Sequence, residues 1–537
     1  MEKLTMILSK TRDERGLTRK IRVLTMQRGV NMSENAVQHY LKNTKAENID
    51  AGALAYIASL QKISDVSPET ADSIVRELND QRKNLKLIAS ENYSSLATQL
   101  AMGNLFTDKY AEGYPMHRFY AGCENVDAVE SLTADLAKKL FNAEYAYVQP
   151  HSGADANLIA YWAILNKRVQ NPMLEKFGQE NPAKISREEW DEIRREISRQ
   201  KLLGLDYYSG GHLTHGYRYN ISAQMFDAYS YTVNAETGYL EYETIEKMAK
   251  ELKPLILLAG YSAYPRLINF RRMKEIADSV GAVFMVDMAH FAGLVAGKVM
   301  TGDFDPVAHA DVVTTTTHKT LRGPRGGLIL AKKEYGDVID KGCPLVIGGP
   351  LPHVIAAKAV ALTEANTEEF RGYAGRIVEN SRALAEGCTK EGMVLSSGGT
   401  DNHLILLDVT GFGLNGRQAE SVLRECGITL NRNALPEDLN GPWYTSGLRI
   451  GTPGVTTLGM GPEEMREIAG ILKLVLSNAS PKILSTGKNA GKPSKAKYDI
   501  DAKIVEEASS RVKKLLDRFP VYPELDIDLL IKAFAAH

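Results

Sequence analysis

Cysteine is scarce. Cys123, Cys343, Cys388 and Cys426 are the only four in 537 residues, and no two form a CxxC pair or a zinc-spaced cluster with histidine. That excludes a disulfide framework and a thiolate metal site, and leaves free buried thiols in a reducing, cytoplasmic setting as the expectation. No metal site is expected. Long apolar runs are also missing: none approaches the roughly 20 residues needed to cross a bilayer, so no membrane span is expected. The chain lacks an excess of either charge, with 65 basic and 66 acidic residues and a formal net charge of -1. A protein built to coat nucleic acid or an anionic membrane would be strongly basic, so neither partner is expected. No internal repeat is visible. The start, "MEKLTMILSKTRDERGLTRK", tilts basic but has no long apolar core, which argues against a secretory signal. Asp13 and Glu14 interrupt an organelle-targeting pattern, so the segment reads as a poorly specified extension.

Hydrophobic residues at 44% and charged residues at 24% describe a globular chain, long enough for two or three domains whose cores need no staple. Residues 1–64 read as an N-terminal extension and 65–94 as an arm, with order beginning near "SPETADSIVRELNDQRKNL". There Ser67 can cap, Pro68 suits the first helical position, and Ile74, Val75 and Leu78 form an apolar face. Residues 95–360 read as a large domain. In it "YAYVQP", "PLILLAGYS", "AVFMVDMAHF", "DVVTTTT" and "GLILA" alternate with amphipathic stretches. That alternation predicts an α/β fold with a mostly parallel sheet. Residues 166–205 read as an insertion. Its "SREEWDEIRREISRQ" carries a capping box, Ser186 with Glu189, and Trp190, Ile193 and Ile197 on one face. Residues 361–537 read as a smaller α+β domain, with "STGKNAGKPSKAK" (485–497) as a flexible linker.

Residues 312–327, "VVTTTTHKTLRGPRGG", place Lys319 just past a β-branched run. Thirty-two residues earlier, "VDMAH" places Asp287 and His290 at another strand's mouth. Pyridoxal phosphate needs a lysine for covalent attachment, a carboxylate to keep its pyridine nitrogen protonated, and a phosphate cradle. Lys319 and Asp287 suit the first two. "PHSGADAN" supplies a helix start at Gly153, whose N–H groups suit phosphate. Each signal alone has an ordinary explanation: a surface lysine, a strand-end aspartate, a helix cap. Ligands of α/β sheets bind beyond the C-terminal strand ends, and His151, Ser262, Asp287, His290 and Lys319 all fall there.

"KYAEGYP", "QPHSG", "GGHLTHG", "VDMAH", "VTTTTHKTLRGPRGG", "GGTDNH" and "TSGLRIGTP" together resemble serine hydroxymethyltransferases, from about residue 65 onward. The insertion and C-terminal extension resemble a bacterial subgroup. The resemblance implies a fold-type-I pyridoxal-phosphate transferase with a seven-stranded sheet, moving the serine hydroxymethyl group to tetrahydrofolate and releasing glycine. It implies that Lys319 bonds the cofactor, Asp287 faces the pyridine nitrogen, and His212 stacks on the ring. Ser262 and His290 would lie near the ring hydroxyl, and Ser152 and Gly153 at the phosphate, with Gly349 reaching it from a neighbouring subunit. Arg449 would clamp the substrate carboxylate, flanked by Ser90 and His290. Tyr110 and Glu112 would cross a homodimer interface to the hydroxymethyl end, with Glu112 transferring protons. Tyr120 and Asn433 would contact folate. A folate-independent, threonine-type aldolase on the same scaffold is the alternative.

The chain departs from the family pattern at Phe119, where tyrosine is usual, and at Ala154-Asp155, where Ser-Gln is common. Ile347 also replaces a usual glutamine. The first two departures bear on folate and cofactor affinity rather than on reaction type.

Overall fold

The computed structural model describes residues 35–487 and 489–535. Its centre is a seven-stranded sheet made of β1 (Tyr145–Tyr147), β2 (Lys201–Leu205), β3 (Asp227–Tyr231), β4 (Ile256–Gly260), β5 (Val283–Asp287), β6 (Val312–Thr316) and β7 (Gly327–Ala331), in the spatial order β1-β7-β6-β5-β4-β2-β3. Only β7 runs against its neighbours. Strands β4 to β7 are buried at every position, as continuous apolar runs require when both faces of a sheet are covered. Leu257, Phe284, Val313 and Leu328 enter one core, and Leu258, Met285, Val312 and Ile329 the other, which follows from the two-residue alternation of a strand.

The sheet corrects one expected boundary. Strand β2 lies within the 166–205 stretch read as an insertion, so the sheet resumes at Lys201. The charged run of helix Arg187–Ser198 masks the short "KLLGL" that follows it, and β3, "DAYSY", is a half-polar edge strand. The helix itself forms as expected: the Ser186–Glu189 capping box is present, Ile193 is buried, and Trp190 and Ile197 are half-buried.

A second sheet follows, with β8 (Val394–Leu395), β9 (Leu404–Asp408), β10 (Asn431–Asn433) and β11 (Gly447–Gly451) antiparallel in the order β8-β9-β11-β10. Helix Glu368–Lys390 joins the two bodies, with Ile377 in the large core and Leu384 in the small one. The stretch read as a linker is instead partly strand: Pro493–Asp499 pairs with Ser480–Ile483. Gln418 Nε2 donates to the carbonyls of Ser494 (2.6 Å) and Lys497 (3.0 Å), and Asn415 Nδ2 to that of Lys495 (2.9 Å). Glycine and lysine content pointed to a linker, but the alternation of Ser494, Ala496 and Tyr498 toward the body is a strand pattern.

Order also begins before Ser67. Helices Ala36–Asn43 and Ala51–Val66 share a core with Pro68–Lys83 and the C-terminal helix Ile527–Phe534, through Ala53, Ile57, Val75 and Leu530. The first three helices are consecutive, but Ile527–Phe534 is far away in sequence, so no local pattern reveals that docking. Pro68 takes the first helical position, while Ser67 turns its hydroxyl to Thr70 Oγ1 (2.7 Å) rather than to the backbone. The targeting question falls on residues 1–34, outside the described residues. All four cysteines are buried and free. Among the described residues no helix is long and apolar enough to cross a membrane.

Candidate active site

Five strands deliver the candidate residues to one edge. β1 leads into Ser152 and Gly153, β2 into His212, β4 into Ser262, β5 ends on Asp287, and β6 runs into Lys319. They open on a cleft of about 720 Å³, within the range of small-molecule sites. Ser90, His290, Asn433 and Arg449 line it too.

The four threonines before Lys319 are buried with their hydroxyls bonded. Thr314 donates to Asn157 Oδ1 (2.5 Å), Thr316 to the Ala289 carbonyl (3.2 Å) and Thr317 to that of Pro324 (2.6 Å). The Lys319 backbone is held from two sides. Asn92 Nδ2 donates to its carbonyl (2.9 Å), and Thr320 Oγ1 donates to the His290 carbonyl (2.8 Å). The Lys319 amine has no hydrogen-bond partner among the described residues. Burial pushes its pKa down to about 8, Asp287 opposing and Arg449 and Arg325 adding to the fall. An ordinary lysine is almost wholly protonated at neutral pH, whereas a pKa near 8 leaves part of this one as the neutral amine that a nucleophile requires.

Burial alone would raise the Asp287 pKa. The hydrogen bond from His215 Nε2 (3.3 Å) and the charge of Lys319 reverse that, and the carboxyl stays well below the usual range. Asn157 Nδ2 donates to the same oxygen (2.8 Å). A buried carboxylate held ionised in this way can keep a proton on a basic ring nitrogen opposite it. Burial pushes His212 down to about 4, with Asp287 opposing, so its imidazole is neutral. Its Nδ1 meets Thr214 Oγ1 (2.7 Å), which orients the ring. Gly210 and Gly211 set its place. Gly210 has φ +101, and a Cβ on Gly211 would lie 2.0 Å from the Leu205 carbonyl oxygen, so only glycine lets this loop approach the strand end so closely.

At the other end of the cleft, Ser152 caps helix Gly153–Leu165, its Oγ accepting from the Asp155 N–H (3.2 Å). The first helical N–H groups, at Gly153 and Ala154, have no intrahelical acceptor, and both residues line the cleft. Asp155 is not among the lining residues. Arg449 donates from Nε to Asn431 Oδ1 (3.1 Å) and from Nη1 to the Ser262 carbonyl (2.7 Å). These two bonds leave Nη2 without a partner among the described residues. Burial lowers the pKa to about 10, so the guanidinium remains charged at neutral pH.

Four expected residues lie elsewhere. Tyr110, Glu112, Tyr120 and Gly349 do not line the cleft of their own chain. Tyr110 and Tyr120 donate to the two Glu112 oxygens (3.5 and 3.3 Å), and their rings meet edge to face at 5.1 Å. A Cβ on Gly349 would sit 3.5 Å from the Tyr110 ring. Other residues belong to the site but were not singled out: His215 and Asn157 behind Asp287, and His403, whose Nε2 lies 3.3 Å from His290 Nδ1. All three stand inside conspicuous motifs: "GGHLTHG", where the sequence points to His212, "PHSGADAN", where it points to Ser152 and Gly153, and "GGTDNH", where it points to no residue. The donor atoms of His212, His215 and Asp287 lie within 4.8 Å of one another. A metal ion suits such spacing, but the His215–Asp287 hydrogen bond already makes this cluster a proton-holding network.

The serine hydroxymethyltransferase family model matches residues 63–174 and 197–472. The chain belongs to the serine hydroxymethyltransferase family. A relative of that name from Treponema pallidum is 58% identical over 495 residues, covering 92% of this chain and 86% of the relative. One from Salinispora tropica is 56% identical over 479 residues, covering 89% and 99%. One from Cutibacterium acnes is 54% identical over 476 residues, covering 88% and 96%. The break in the family match, 175–196, falls inside the 166–205 stretch and ends before β2, in agreement with the sheet.

Serine hydroxymethyltransferases are fold-type-I, pyridoxal-phosphate-dependent enzymes with tetrahydrofolate as co-substrate. The residues present fit that cofactor. An ionised carboxylate, a neutral imidazole, an unpaired amine of lowered pKa and a helix start with free N–H groups converge on one cleft.

Proposed function

We propose that this protein transfers the hydroxymethyl group of serine to tetrahydrofolate, giving glycine and 5,10-methylenetetrahydrofolate. The observation that carries the reading is the convergence of Lys319, Asp287, His212 and Arg449 on one cleft at the strand ends. Pyridoxal phosphate, when bound, supplies an electron sink for the bond between the serine Cα and its hydroxymethyl carbon. Lys319 would anchor it covalently, and the ionised Asp287 would hold a proton on its pyridine nitrogen. His212 would offer the ring a flat, uncharged imidazole, and Ser262 and His290, which line the same cleft, would serve its hydroxyl. Ser152 and Gly153 hold the phosphate end. Arg449 holds the substrate carboxylate through a planar fork, which suits two parallel charge-assisted bonds, beside Ser90. Asn433, on the cleft wall, meets the folate.

Glu112, Tyr110, Tyr120 and Gly349 serve the cleft of a second copy of the chain in a homodimer. Glu112 exchanges the proton of the serine hydroxymethyl end. The support is their exclusion from their own cleft and the exposed apolar surface around them: Tyr110, Met116, Phe119, Tyr120 and Leu345 are each 45% or more exposed. Such patches on folded chains mark interaction surfaces. We place the protein in the cytoplasm.

Two measurements test this. Serine-to-glycine conversion should depend on tetrahydrofolate; equal rates without it would favour the aldolase alternative. Mixing inactive Lys319→Ala and inactive Glu112→Ala proteins should restore part of the activity, since a hybrid dimer carries both lesions in one site and leaves the other intact. No recovery, with hybrids confirmed by mass, would overturn the shared site.

A further inference from the structure

Lys358 is 1% exposed, a buried charged residue that the chemistry above does not use. It stands on helix Pro352–Ala365, and its Nζ donates to three backbone carbonyls, Val148 (2.7 Å), Pro150 (3.0 Å) and Gly327 (2.8 Å). Three acceptors match the three protons of an ammonium; a neutral amine has only two to give. Burial lowers the Lys358 pKa to about 7, the carboxylates of Glu130 and Asp155 opposing; the three carbonyl acceptors at 2.7–3.0 Å oppose that fall, because only the ammonium can donate to all of them.

Those carbonyls belong to the two segments that hold the cofactor. Val148 and Pro150 lead directly into the phosphate loop, Ser152 and Gly153. Gly327 closes the hairpin that carries Lys319, since Thr317 N–H donates to the Gly326 carbonyl (3.0 Å) and Gly327 N–H to that of Pro150 (3.0 Å). Beyond the β1–β7 ladder, which ends at Tyr147 and Ile329, that backbone bond and the Lys358 ammonium are the hydrogen bonds that tie hairpin to loop among the described residues. Space at the seam is tight: a Cβ on Gly326 would lie 2.6 Å from Lys358 Cε.

We propose that Lys358 is a positioning residue whose buried ammonium, acting as a built-in monovalent cation, locks the phosphate loop to the Lys319 hairpin and so preorganises the cofactor site. Without it three carbonyl oxygens lose a charged partner at once. Backbone dipoles converging on an empty point repel one another, and the seam opens.

The proposal rests on reading the cleft as a pyridoxal-phosphate site, and the test separates the two. Lys358→Ala should bind pyridoxal phosphate at least about tenfold more weakly in titrations of the apo protein. Hydrogen exchange at residues 148–153 and 317–327 should rise in the apo state, where no cofactor is involved. Ammonium or potassium chloride should reverse both effects by filling the carbonyl cage, while sodium-matched wild type stays indifferent. If Lys358→Ala does not fold, Gly326→Ala, which displaces the ammonium by contact, should produce the same exchange and affinity changes. Unchanged affinity and exchange, or a loss that neither cation reverses, would overturn the positioning role. Failure of the wild type to bind pyridoxal phosphate would instead overturn the reading of the cleft.

Discussion

Lys319→Ala will lose turnover by about three orders of magnitude or more, a barrier increase of about 4 kcal/mol. It will also lose the visible absorbance band of lysine-bound pyridoxal phosphate. The expectation follows from position and electrostatics together. The amine stands at the mouth of β6 in the same cleft as Asp287, its backbone pinned by Asn92. Its pKa is near 8 because burial strips water from the charged form. At pH 7.5 about one amine in four is then neutral, against about one in a thousand for an ordinary lysine. The sign is testable on the apo protein alone. Labelling by an amine-specific reagent should reveal a group that becomes reactive as pH rises through about 8, and the substitution should remove it. A Lys319→Ala protein with normal turnover would refute the assignment. Labelling of the wild type that rises only near pH 10 would refute the electrostatic part.

Arg449→Ala will leave the cofactor in place and weaken serine and glycine binding by about 30-fold or more. Truncating one partner of a buried, hydrogen-bonded charge pair costs about 2–5 kcal/mol. Here Asn431 and the Ser262 carbonyl already orient the fork, so a bound carboxylate would meet a guanidinium with little freedom left to lose. Arg449→Lys should recover little, because an ammonium cannot reproduce two parallel bonds at that geometry. The measurement is a spectral titration of each variant with glycine. Unchanged amino-acid affinity, with the cofactor band intact, would contradict the role.

Much of the site was legible because each chemical residue sits where local sequence is most regular. Lys319, Asp287 and Ser262 follow apolar strand runs, and a strand's C-terminal end is readable from where the run stops. Ser152 and Gly153 stand at a helix start with a readable cap. Glycine pairs mark the His212 loop because a Cβ there would strike the strand. These signals are carried by a few adjacent residues, so the sequence by itself determined the α/β class and where the buried strands β4 to β7 fall along the chain, and it singled out Lys319 as the candidate amine.

Tertiary structure decided what depends on partners far away in the chain. Strand β2 is too short to declare itself beside a charged helix, and only pairing with β3 and β4 makes it part of the sheet. Helix Ile527–Phe534 closes the core of the N-terminal helices Ala51–Val66 and Pro68–Lys83, across more than 400 residues. The segment read as a linker became a strand because Asn415 and Gln418 hold its carbonyls. His215 and His403 stand in conspicuous motifs and Lys358 in an ordinary helix, but none shows its surroundings locally, since a buried histidine or lysine takes its meaning from the groups around it. Those groups, Asp287, His290 and the three carbonyls, meet it only when the chain closes on itself.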